Sequence, residues 1–110
     1  MITYQDFEKV DIRVGKILKV EKTSGIRISA YEMTIDFGDE LGKKVSLAQI
    51  TKNYTKYDLK DRLVMCVVNF APKQIGKYTS EVLTLGFENE DGTVVLAVPD
   101  KKVPLGKKMY

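Results

Sequence analysis

The sequence predicts an all-β protein built on a five-stranded barrel. In several short runs the apolar residues recur at every second position, the spacing of half-buried strands rather than of helices. Glycine-containing turn dipeptides, Gly38-Asp39 and Asp91-Gly92, break these runs. Three strand-like runs, a polar connection and two further runs fit into about 75 residues, which suits a small barrel.

At the N-terminus Thr3 is placed to cap a short helix from Tyr4 to Val10, with Asp6 near its positive end. Phe7 and Val10 share one face of that helix, and a helix this short needs the face packed against something. Ile12 to Val20 alternates apolar with basic or small residues as a first strand, and Gly15 in its middle marks a bulge or bend. Glu21 to Ser29 is a connection. Tyr31 to Phe37 is a second strand, and Lys44 to Gln49 is a third. Ile50 to Lys60 loses the alternation and predicts a helical or irregular connection between strands 3 and 4. Arg62 to Phe70 is apolar at nearly every position, which predicts a fourth strand buried on both faces. Val82 to Phe87 is the fifth strand. Beyond it the Asp91-Gly92 turn leads into Val94 to Val98, and Pro99 and Pro104 punctuate a C-terminal extension. On pattern alone an OB-type barrel fits this order, and an SH3-like barrel or another small β fold stays open.

A length of 110 residues leaves room for one domain, 1–110. No run approaches the roughly 20 apolar residues of a membrane helix. Met1 to Val10 carries Asp6 and Glu8 and lacks the apolar core of a signal peptide. A cytoplasmic protein with no membrane insertion is therefore expected. Cys66, the only cysteine, lies within Leu63 to Val68 and reads as a small buried hydrophobe. Histidine is absent, which removes His-dependent nucleophiles and the usual nitrogen ligand of zinc. The acidic clusters Asp39-Glu40 and Glu88 to Asp91 sit beside glycines, as solvated turn charges do. No phosphate-binding glycine motif is present. These readings predict a protein that is not an enzyme, with no cofactor and no metal site.

The positive charge is local. From Glu40 to Ser80, 8 basic residues stand against 3 acidic ones, whereas both flanking thirds are slightly acidic. A local field of this sign attracts polyanions, although a lysine-rich solvated surface has the same composition. Within this third, the segment after Asn69-Phe70 carries Pro72, Lys73, Gln74, Gly76 and Lys77 before Ser80-Glu81. A loop of this kind on a rigid sheet is where recognition residues usually sit.

Asp11-Ile12-Arg13-Val14-Gly15-Lys16-Ile17 resembles the opening signature of the OB-fold tRNA-binding domain family, which also occurs at the C-terminus of methionyl-tRNA synthetase chains. Asn69-Phe70-Ala71-Pro72-Lys73-Gln74-Ile75-Gly76, leading to Ser80-Glu81-Val82-Leu83, is similar to the family's second signature. Asp6 to Arg13, Ala48 to Lys52, and Val98-Pro99-Asp100 with Val103-Pro104-Leu105-Gly106 look most like the CsaA branch. The resemblance implies an OB-fold that binds tRNA or other structured RNA. It also implies a homodimer whose interface is built by the N-terminal helix, 1–11, and the C-terminal extension, 88–110. RNA contacts are implied at Lys73, Lys77, Ser80, Glu81 and Leu83, and Lys52 and Lys56 would extend a basic track. The CsaA branch implies an alternative as well, an export-related chaperone binding unfolded or presecretory polypeptides at apolar pockets near the dimer interface. Phe7, Val10, Ile75 and Leu105 are the dimer and peptide candidates.

Each implied contact has a physical basis. Lys73 and Lys77 would neutralise phosphates and supply affinity without sequence readout. Ser80 offers a hydroxyl to phosphate or base, or else caps the turn. Glu81 repels phosphate, so as a contact it must accept from a base amino group; otherwise it partners Lys73 or Lys77. Asn69 either bonds a base or ties down the loop backbone. Gln74 stands where family members often carry a second basic residue, and the loop holds no arginine. Weaker phosphate contact and a shallower salt dependence follow.

Overall fold

The period-two patterning produces an antiparallel meander of β1 (Ile12–Lys22), β2 (Tyr31–Asp36) and β3 (Lys43–Ala48) in the computed structural model, which describes residues 1–110. In β2 the alternation is complete: Tyr31, Met33 and Ile35 are buried, while Glu32, Thr34 and Asp36 are half-buried. The long β1 serves two neighbours. Its first half, Ile12 to Lys16, pairs with β4 (Leu63–Val67), and its second half pairs with β2. A short β7 (Leu83–Thr84) flanks β4, so the five-stranded sheet runs β3-β2-β1-β4-β7. Its two edges meet where Ser46 and Thr84 share a hydroxyl hydrogen bond of 2.7 Å. This order and the near closure make the molecule an all-β barrel of OB type.

Ile17, Met33, Ile35, Phe37, Val64 and Cys66 fill the barrel. The connection between β3 and β4, expected to be helical or irregular, contains a one-turn helix, α2 (Lys56–Leu59), which contributes the fully buried Leu59. Burial pushes the Cys66 thiol up to about 11, as fits a side chain used for packing.

The elements depart from the sequence expectation at five places. The N-terminal helix, α1 (Tyr4–Glu8), ends before Val10. The irregularity in β1 falls between Ile17 and Lys19, not at Gly15. Gly15 is instead a close-approach position: a Cβ there would collide with Ile35 and sit 2.7 Å from the Phe37 ring. The fourth strand stops at Val67, with Leu63 and Met65 only half-buried. Asn69 leaves the sheet and ties the α1–β1 junction, accepting from the Asp11 N–H (3.0 Å) and donating to the Lys9 carbonyl (2.8 Å).

The fifth strand is split. Only Leu83-Thr84 stays on β4, whereas β8 (Gly86–Glu88) turns away to pair with β9 (Val94–Leu96). Gly86 permits the turn, since a Cβ there would lie 2.8 Å from the Val95 carbonyl oxygen. The segment after Pro72 is the fifth departure. It is a hairpin, β5 (Lys73–Ile75) with β6 (Tyr78–Ser80), where the sequence predicted a loop.

The C-terminal extension docks on its own barrel. The Val14 N–H donates to the Lys107 carbonyl at 3.1 Å, and the Met109 N–H donates to the Ile12 carbonyl at 2.8 Å. These bonds cover the edge of β1 that β2 leaves free. No helix is long and apolar enough to cross a membrane.

Candidate functional site

The β5–β6 hairpin is stiffened from within. Gly76 opens its two-residue turn at a φ of 58°, a conformation glycine adopts at little cost. Gln74 donates from Nε2 to the Gly76 carbonyl (2.8 Å) and accepts from the Thr79 hydroxyl (2.9 Å). The residue that replaces an expected second cation therefore clamps the hairpin. Its tip rests on the β1–β2 connection, where the Tyr78 hydroxyl accepts from the Ser24 N–H at 3.0 Å.

At its root the hairpin is stitched to β3. Ser80 Oγ accepts from the Leu47 N–H (3.0 Å) and donates to the Val82 carbonyl (3.1 Å). Glu81 Oε1 accepts from the Val45 N–H (3.0 Å), and the Glu81 N–H donates to the Val45 carbonyl (2.8 Å). Two residues implied as RNA contacts thus also help close the barrel. Glu81 forms no ion pair with Lys73 or Lys77.

Between the hairpin and β3 lies a pocket of about 500 Å³. It brings together Lys73, Ile75, Ser80, Glu81 and Leu83, with Leu47 from β3, Gln49 just beyond it and Phe70. Phe70 is 56% exposed and Leu83 47%, so the wall offers apolar surface to solvent beside the Lys73 ammonium. Lys77 is not in the pocket; it sits at the turn with its ammonium 5.5 Å from the Tyr78 ring centre. Lys52 lies in an adjoining depression of about 360 Å³ with Arg27 and Asn53, which touches the first at Gln49. In the neighbouring turn the Asp91 carboxyl is held below its usual range by hydrogen bonds from Thr93, with the Lys52 charge adding to the effect. Lys56 lines a third depression with Tyr54 and Tyr57.

The dimer and peptide candidates do not form one patch. Phe7 and Val10 line a depression of about 250 Å³ with Tyr4, Met109 and Tyr110. Leu105 is half-buried against the turn at Gly38. Ile75 belongs to the hairpin pocket. Sequence reasoning missed Arg27, Leu47 and Gln49 as lining residues. Arg27 stood in an unpatterned connection, and the other two read only as strand positions.

Comparison with known proteins is consistent throughout. The family model described as "Putative tRNA binding domain" matches residues 12–108. A chaperone CsaA from Bacillus anthracis is 43% identical, with a TM-score of 0.94 over 100% of this chain and 99% of that one. A CsaA chaperone protein from Picrophilus torridus is 49% identical, with a TM-score of 0.93 over the whole of both chains. A methionine–tRNA ligase of Archaeoglobus fulgidus is 35% identical over 108 residues, 98% of this chain. This chain spans only 16% of that relative's length.

Proposed function

The chain belongs to the tRNA-binding domain family, in its CsaA branch, and on that premise we propose that it binds tRNA or another structured RNA through the hairpin pocket without catalysing a reaction. The observation that carries the reading is the hairpin itself. A clamped scaffold presents Lys73 and Lys77 with exposed Phe70 and Leu83 beside an open pocket roomy enough for a base. Phosphate neutralisation by lysines gives affinity, and aromatic or apolar walls receive unstacked bases. Lys52 and Arg27 continue the path past Gln49. The protein acts in the cytoplasm as a homodimer, with α1 and the C-terminal extension at the interface.

A second reading has its own support. Two relatives similar over the full length are named as chaperones, and Tyr4, Val10, Met109 and Tyr110 expose apolar surface around α1. Binding of unfolded or presecretory polypeptides there is compatible with RNA binding at the hairpin.

Fluorescence anisotropy with bulk tRNA at several salt concentrations, alongside a labelled unfolded polypeptide, separates the two. Micromolar or tighter tRNA binding with a negative salt slope is expected. Lys73→Ala with Lys77→Ala should weaken it and reduce the slope by about 2, one per lost phosphate contact. Salt-independent polypeptide binding with no tRNA binding would make the chaperone role primary.

A further inference from the structure

A carboxylate is out of place in a surface built to hold phosphates, yet Glu81 lines the pocket beside Lys73. We propose that this pocket receives one unpaired guanine of the bound RNA, stacked on Phe70 and read by the Glu81 carboxylate. The proposal rests on the RNA-binding reading and names what that site recognises.

Glu81 is held in a defined orientation by the Val45 N–H on Oε1, and Oε2 has no hydrogen-bond or ion-pair partner in the protein. Its neighbours Leu47, Ile75 and Val82 are apolar, so they offer the carboxylate no side-chain donor of their own. A phosphate is repelled there, so the ligand must supply donors; a ribose 2′-OH offers one, and a base edge can offer two. Among the four RNA bases only guanine offers two adjacent donors, N1–H and N2–H, on its Watson–Crick edge. Those two match the two oxygens of one carboxylate. Adenine, cytosine and uracil each offer a single donor position there.

The walls fit the same occupant. Phe70 presents ring surface to solvent and Leu83 adds a second apolar wall, which suits the faces of a splayed-out base. Lys73 is exposed at the mouth, where it can meet that nucleotide's phosphate. A guanine already paired in a helix has its Watson–Crick edge occupied, so the pocket selects a loop, a bulge or an end.

The test is direct titration of labelled nine-residue RNAs, with labelled tRNA in parallel, at one salt concentration. The set is a uridine oligomer with G, A, C, U or inosine at its centre. The guanosine oligomer should bind about tenfold tighter than the rest. Inosine, which lacks the N2 amino group, should lose most of that advantage without any change to the protein. Glu81→Gln, which keeps an acceptor for the Val45 N–H, should abolish the preference with the fold confirmed by circular dichroism. Equal affinities across the set, or inosine matching guanosine, would overturn the guanine reading while salt-dependent tRNA binding still stood. A guanosine preference with no tRNA binding would keep the base reading and remove tRNA as the ligand. GMP competing as tightly as the guanosine oligomer would overturn the assignment to RNA.

Discussion

At the scale of the residue, Ser80 and Glu81 are occupied twice. Both line the pocket, and both supply hydrogen bonds that hold β3 to the hairpin root. Ser80→Ala would leave the Leu47 N–H without its acceptor, and an unsatisfied donor of this kind costs about 1–3 kcal/mol. Urea denaturation should therefore show a lower midpoint for Ser80→Ala. Lys73→Ala, a change at an exposed position, should stay within about 0.5 kcal/mol of the parent. Equal stability of the Ser80 variant and the parent would refute the stitching role. Lys73, Ser80, Glu81 and Leu83, singled out in the sequence, converge on one pocket. The sequence did not show what Ser80 and Glu81 bond. Their partners in β3 lie 33 and 36 residues away, beyond the reach of any local pattern.

At the scale of the element, the meander was legible because its signal, the period-two burial of β2, is local; of α2 only the loss of alternation from Ile50 to Lys60 was. The split of the fifth strand was not. Val82 to Phe87 alternates like a continuous strand, and only the approach of β9 to Gly86 redirects it. The hairpin was hidden for a related reason, since its three-residue strands hold too few positions to reveal a period. The capping box of α2 carries a pH signature. Thr55 N–H donates to Asp58 Oδ2 at 2.8 Å, and hydrogen bonds from Thr55 hold the Asp58 carboxyl below its usual value. A carboxyl depressed in the folded state stabilises fully above its unfolded pKa, near 4, and loses that contribution as pH falls through the folded value. Thermal melts should show Asp58→Ala less stable than the parent at pH 6, with the gap narrowing below pH 4. A gap independent of pH would mean that the charged form of Asp58 is not what caps the helix.

For the whole molecule, the proposed dimer bears on RNA affinity through geometry. The hairpin pocket forms within a single chain, so a folded monomer has one. A homodimer carries two, and a folded RNA long enough to reach both gains from effective concentration, by a factor on the order of 100 or more. The Phe7 ring stands 6.3 Å from that of Tyr4, in the depression shared with Val10, Met109 and Tyr110. Phe7→Glu puts a charge into this apolar surface, and burying it unpaired at an interface is costly. Sedimentation should show Phe7→Glu as a monomer, with unchanged affinity for the guanosine nonamer and about 100-fold weaker binding of tRNA. The nonamer also reports whether the variant is folded, because its pocket depends on the closed barrel. A variant that stays dimeric would remove α1 from the interface. A folded monomer with undiminished tRNA affinity would confine recognition to a single pocket and leave the second copy without a part in it.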